Sequence, residues 1–305
     1  MPDGGQIAMD WAYPKETRQE LTKVCFVFPG LSGSSDRHYI KSLVRHLTED
    51  RGYIVGVFHN RGVTLEYTSP ELADLSSSEE IEAAIAHMQD KFKSHPNPVY
   101  VAVGMSMGAN LMLRVAGEQG TRWPFDAMVS FNNPFDIMLS INLMRNTPYE
   151  KYLARELRKN VLIRDNASER EREIFRQMET KFNISFEDLK NTESWGEFDN
   201  KFTLKVRSQF KTVADYYHAA SCLFRIKEIA KPTLVIHSRD DPIIPIDCLP
   251  TRECSSNPNI IVGVVNCGGH VCYFQGSDGQ QRWYPLVSSE YLDAIIELKQ
   301  SKVII

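Results

Sequence analysis

Serine, aspartate and histidine side chains occur in this chain in an order that permits nucleophilic chemistry: Ser106, then adjacent Asp240 and Asp241, then His270. A serine hydroxyl is a poor nucleophile until a neutral imidazole accepts its proton. A carboxylate on the far ring nitrogen then fixes the tautomer and stabilises the imidazolium. Ser106 sits in Gly104-Met105-Ser106-Met107-Gly108, a G-x-S-x-G sequence. Among the histidines that follow it, His218 falls in a helical region and His237 at the end of an apolar run. His270 comes after Gly268 and Gly269, on a loop with freedom to reach. His59 precedes Ser106 without an acidic neighbour and reads as structural or pocket-lining.

The elements around these residues are what such chemistry requires. Residues 99–103 form an apolar, β-branched run that reads as a buried strand, and 109–118 carry helical apolar spacing. G-x-S-x-G alone is expected by chance about 0.1 times in a chain of this length, so its context decides. Strand, motif and helix together describe a nucleophile elbow, with the hydroxyl raised on a tight turn at a helix N-terminus. The glycines are needed because side chains there would collide with strand and helix.

Further strands are expected at 24–28, 53–58, 127–131, 233–237 and 260–265, with 3–11 as a weaker opening strand. Helices are expected at 38–47 and 291–298, and another opens from the N-cap run at 76–80 and continues through 92. Strands alternating with helices predict a mostly parallel sheet covered on both faces. Residues just past the strand C-termini then gather on one edge, which would bring Ser106, the Asp pair and His270 together. From about 135 to 227 the β-branched runs give way to helical pattern and charge. A plain connection of that length is improbable, so the segment is expected to form a helical cap inserted in a single domain spanning 1–305.

Composition excludes several functions. The 305 residues are 42% hydrophobic and 24% charged with a net charge of −4, which leaves no nucleic-acid footprint. No apolar run reaches the ~18 residues of a membrane span, and the first eleven residues lack the basic start and apolar core of a secretory leader. The six cysteines form no C-x-x-C pair and read as reduced thiols. Cys267, His270 and Cys272 match no usual zinc spacing, and neither metal nor cofactor is implied. A cytoplasmic protein is expected, touching membranes at most through apolar cap residues.

Beyond its elbow the chain carries Asp3-Gly4-Gly5, Pro29-Gly30-Leu31, His59-Asn60-Arg61-Gly62, Pro134-Phe135-Asp136, Asp215-Tyr216-Tyr217, Asp240-Asp241-Pro242 and Gly268-Gly269-His270. In these segments it resembles, over essentially its whole length, the α/β-hydrolase family that groups YheT-type esterases with ABHD1/2/3-type lipases. The resemblance implies an α/β-hydrolase fold and serine-dependent hydrolysis of carboxylic esters, with acylglycerols or phospholipids as the eukaryotic substrate class. It selects Asp241 over Asp240, because the family's triad acid stands just before an apolar pair ending in a turn residue. Pro242 also favours extended backbone at Asp241. Leu31 and Met107 are then expected to supply backbone N–H groups to an oxyanion hole. Met105, Met107, Phe135 and Phe274 are candidates for an apolar acyl pocket. The rival reading is a catalytically silent member that binds a ligand or partner under its cap. Such proteins usually lose a triad member, and here each has a candidate.

Overall fold

The computed structural model describes residues 1–16, 20–161, 167–277, 279 and 281–301. Its core is a seven-stranded sheet: β1 (Ala8–Ala12), β2 (Thr22–Phe28), β3 (Ile54–His59), β4 (Pro98–Met105), β5 (Ala127–Phe131), β6 (Thr233–Ser238) and β7 (Ile260–Val265). The spatial order is β1-β3-β2-β4-β5-β6-β7. Only β1 runs antiparallel, against β3; every other pairing is parallel. β2 is buried along its whole length, as its unbroken apolar run VCFVF requires of a strand covered on both faces. The antiparallel β1 explains why its pattern was weak: all five of its residues are only part-buried or exposed at the sheet edge.

Helices α1 (His38–Arg45), α2 (Glu79–Phe92) and α3 (Met107–Gln119) follow β2, β3 and β4. Between β5 and β6 the chain makes α4 (Ile137–Met144), α5 (Pro148–Val161), α6 (Glu169–Phe182), α7 (Phe186–Lys190), α8 (Trp195–Phe198), α9 (Leu204–Val206) and α10 (Val213–Ala220). Polar N-caps start most of them: Asp136, Ser168, Ser185, Ser194 and Thr212 each accept a backbone N–H in the first turn. A short α11 (Thr251–Ser255) precedes β7. A two-residue pairing of β8 (Phe274–Gln275) with β9 (Gln281–Arg282) then leads into α12 (Tyr284–Gln300). That last helix begins seven residues before the apolar spacing suggested. Its first turn holds Pro285, which is tolerated there because the missing N–H has no intrahelical partner.

Two apolar clusters sandwich the sheet. One packs Phe26, Phe28 and Phe58 against α2 and α3, and the other packs Val27, Val103 and Phe131 against α1 and α12. A third cluster, centred on Phe175, Phe186 and Phe202, lies within the helical segment and reaches Tyr67 and Leu72 in the loop after β3. No helix among the described residues is long and apolar enough to cross a membrane.

Candidate active site

Ser106 stands between the end of β4 and the start of α3 at φ 54° and ψ −125°, a conformation that L-residues rarely adopt. Its N–H is held by the Phe131 carbonyl at 2.8 Å. The flanking glycines have a steric origin. A Cβ on Gly104 would lie 2.6 Å from the Ala109 Cα, and one on Gly108 would lie 2.2 Å from the carbonyl oxygens of both Phe28 and Pro29. The helix thus starts in contact with the loop that leaves β2. The Ser106 carbonyl accepts the N–H groups of Ala109 and Asn110, and Met107, the first residue of α3, precedes them at the helix N-terminus, where N–H groups have no intrahelical acceptor.

The imidazole of His270 lies 2.9 Å from the Ser106 hydroxyl through Nε2 and 2.8 Å from Asp241 Oδ2 through Nδ1. The Asp241 side chain is fully enclosed. Oδ1 accepts the N–H groups of Ile243 and Ile244 at 2.8 and 2.9 Å, and Oδ2 also accepts from Asn132 Nδ2 at 2.6 Å. Buried His237 lies 2.9 Å through Nε2 from the Ile244 carbonyl, bracing the same turn, and burial holds its ring below the usual imidazole range.

Asp240 faces elsewhere. Its carboxylate accepts the N–H groups of Gly268 and Gly269, both at 2.8 Å, and these bonds, Gly269's foremost, hold it below the usual carboxylate range. The two aspartates are separated by a turn at 239–240, not by the alternation of an extended strand. One anchors the histidine loop by its backbone and the other meets the histidine by its ring.

Asn132 is a site residue that sequence reading passed over. It follows β5 at φ 45°, and its amide nitrogen reaches Asp241, Ser238 and the Gly269 carbonyl, while its oxygen accepts the Tyr273 hydroxyl. The available signal was modest: an Asn directly past a strand C-terminus, where a left-handed residue is needed. Tyr39 was also missed; it is half-buried, and its hydroxyl accepts the Gly30 N–H at 3.1 Å and steadies the β2 loop. His59 is structural. Its Nε2 accepts the Ser35 N–H at 3.1 Å, so Nδ1 carries the proton toward Thr64 Oγ1 at 2.9 Å. Burial holds that ring below the usual imidazole range, against the pull of Asp10, whose carboxylate lies 3.5 Å from Nε2. His218 stacks on Phe224, away from the site.

Two cavities adjoin here, and the smaller opens at Ser106. The smaller, about 420 Å³, is lined by Ser106 itself and by Leu31, Met107, Ile137, Ile141, Met144 and Ile243, with Ser140 its other polar side chain. The larger, about 1070 Å³, shares Leu31, Met107, Ile137 and Trp195 and runs under the helical segment toward Leu72, Phe202 and Val206. Its charged groups are already engaged. Arg207 pairs with Asp74 at 3.2 Å, Arg61 with Asp3 and Glu80, and Asp199 takes the hydroxyls of Thr203 and Tyr217. Burial pushes the Asp199 carboxyl up to about 6.

Three of the residues expected in an acyl pocket lie elsewhere. Met105 is the last residue of β4, and its side chain belongs to the cluster between sheet and α1/α12. Phe135 is wholly buried in the opposite cluster. Phe274 is 57% exposed and lies under the Arg282 guanidinium at 4.4 Å. Strand alternation turned Met105 away from the edge. The cavity is instead lined by α4, whose inward stripe could not be assigned a partner before the fold was known. All six cysteines are unpaired, and Cys267 is exposed.

A sequence model described as the alpha/beta hydrolase fold matches residues 24–277. The chain belongs to the alpha/beta hydrolase fold family. It is 30% identical over 305 residues to the Bos taurus phospholipase ABHD3, covering 97% of this chain and 70% of that one. It is 29% identical over 280 residues to a Saccharomyces cerevisiae monoacylglycerol lipase, covering 89% of this chain and 59% of that one. Among solved structures, Est1E from Butyrivibrio proteoclasticus with bound ferulic acid superposes with a TM-score of 0.57 at 13% identity, covering 98% of each chain. That likeness is one of fold.

Proposed function

We propose that this carboxylic ester hydrolase cleaves lipid esters, acylglycerols or phospholipids, with Ser106 as nucleophile, His270 as base and then acid, and Asp241 orienting the imidazole. Ser106 Oγ attacks the acyl carbonyl as its proton passes to His270 Nε2. The backbone N–H groups of Leu31 and Met107 receive the developing oxyanion. His270 then gives the proton to the leaving alkoxide, and water, deprotonated by the same ring, releases the acid from the acyl-enzyme.

The observation that carries this reading is the unbroken polar chain from Ser106 through His270 to Asp241, at 2.9 and 2.8 Å, at the mouth of a cavity with an apolar wall. The substrate class rests on the relatives named phospholipase and monoacylglycerol lipase and on the cavities' composition. An apolar compartment and a larger one of mixed lining meet at Leu31 and Met107, which suits an ester with a substantial group on each side of its carbonyl. Turnover of p-nitrophenyl esters of graded chain length, followed by mono- and diacylglycerols and phospholipids, tests it. A preference for chains long enough to fill the smaller cavity is expected. Equal turnover of acetyl and longer esters would count against the cavity as an acyl site.

A further inference from the structure

Helix α4 is apolar on two sides. Ile137, Ser140, Ile141 and Met144 form one stripe that lines the Ser106 cavity. On its other side Leu139 and Leu143, one turn apart, are 37% and 41% exposed, and the helix carries no charged residue. On α5, the next helix in the chain, Tyr149 and Tyr152 are 39% and 47% exposed, and the Arg155 guanidinium lies over the Tyr152 ring at 5.5 Å. Scattered exposed leucines are ordinary; two on one helix face, followed on the next helix by two exposed tyrosines and exposed cations, are less so.

The charge here is opposite to that of the chain. Residues 137–161 hold five cations, Arg145, Lys151, Arg155, Arg158 and Lys159, against Glu150 and Glu156. Both carboxylates are buried, Glu150 accepting the Asn146 N–H at 2.8 Å and Glu156 pairing with Lys159. The segment therefore carries a net +3 within a chain of net −4. Arg145, Lys151, Arg155 and Lys159 are exposed, while half-buried Arg158 is held by the Thr192 carbonyl. Lys151 has an exposed partner in Glu193 at 3.6 Å, which in water holds it weakly.

We propose that the outer face of α4 and α5 docks on a lipid bilayer that carries anionic headgroups. Leu139 and Leu143 enter the acyl boundary, Tyr149 and Tyr152 lie at headgroup level, and Arg145, Lys151 and Arg155 meet the anionic lipid. Because the inner stripe of α4 lines the cavity at Ser106, docking sets the membrane one helix away from the nucleophile. A lipid ester then reaches the cavity without crossing bulk water. This purpose rests on the lipid-ester reading above; the docking itself does not.

Co-sedimentation with phosphatidylcholine vesicles, with and without phosphatidylserine, tests the proposal on the intact chain. Wild type is expected to pellet with the anionic vesicles and to be released by salt. The double variant L139S/L143S should lose about ten-fold in partition. K151E/R155E should lose binding to the anionic vesicles alone. Both pairs lie outside the catalytic groups and should keep wild-type turnover of a soluble short-chain ester, which also reports that they fold. Wild type left in the supernatant, or L139S/L143S binding as wild type does, would overturn the proposal. So would self-association in solution, abolished by L139S/L143S, without vesicle binding; that result would make the face an interface between copies. Partition is read without turnover, so failure of the docking and failure of the hydrolytic reading are separate results.

Discussion

Two adjacent carboxylates, Asp240 and Asp241, serve two different partners, and their substitution should separate cleanly. Asp241→Asn keeps the shape but presents an amide to His270 Nδ1, which favours the wrong tautomer. Turnover is expected to fall roughly 10⁴-fold with the thermal midpoint nearly unchanged. Asp240→Asn keeps an oxygen for the Gly268 and Gly269 N–H groups and should lower turnover by no more than about ten-fold. Parallel kinetics of both purified variants on one ester decide the matter, and a crippled Asp240→Asn would reverse the assignment. Asn132→Leu removes one charge-assisted donor from Asp241, and about a 10- to 100-fold loss in kcat is expected, with KM little changed. Asp199 gives a stability signature. Its carboxyl rises from 3.8 to about 6 on folding because burial disfavours the anion. The folded state therefore binds the proton more tightly, and stability should fall by about 2–3 kcal/mol as pH rises from 4 to 6. Denaturant unfolding of Asp199→Asn across that range should lose this slope. A slope that persists in Asp199→Asn would place its origin in another group.

At the scale of elements, the elbow stores strain that its glycines allow. Ser106 at φ 54° and ψ −125° sits where glycine is at ease and other residues are held at a cost of about 1–3 kcal/mol. Ser106→Gly should therefore be more stable than Ser106→Ala by about 1 kcal/mol, while both are inactive; differential scanning calorimetry of the pair reads the difference. Gly108→Ala tests the opposite face of the same turn. Its Cβ would press on the Phe28 and Pro29 carbonyls, backbone that belongs to the loop bearing Leu31. A loss of about 2–3 kcal/mol with a fall in kcat is expected, and wild-type turnover in that variant would show that the loop does not need this contact. The same contact explains why G-x-S-x-G was readable early: steric demands at the turn leave a residue pattern that spacing can reveal.

Across the whole molecule, legibility followed how local the constraint was. The mostly parallel sheet and the gathering of Ser106, Asp241 and His270 on one edge follow from buried strands whose apolar runs are continuous in sequence, whereas the strand order does not. The cavity walls were not readable, because Met105, Phe135 and Phe274 differ from Ile141 or Met144 only in which neighbour each side chain meets. That is set by the packing of α4 to α10, where helices with polar caps give their own existence away but not their partners. Asn132 was hidden for a related reason: its role depends on β5 lying between β4 and β6, which no local pattern encodes. The hydrolytic reading therefore rests on a constellation assembled from four strand ends, and its nucleophile can be examined directly. Incubation with a fluorophosphonate probe, followed by peptide mapping, is predicted to place the label on Ser106 in the wild type and nowhere in Ser106→Ala, with ester turnover lost in step. Label on another residue, or a Ser106→Ala enzyme that keeps wild-type turnover with an unchanged melting temperature, would contradict it.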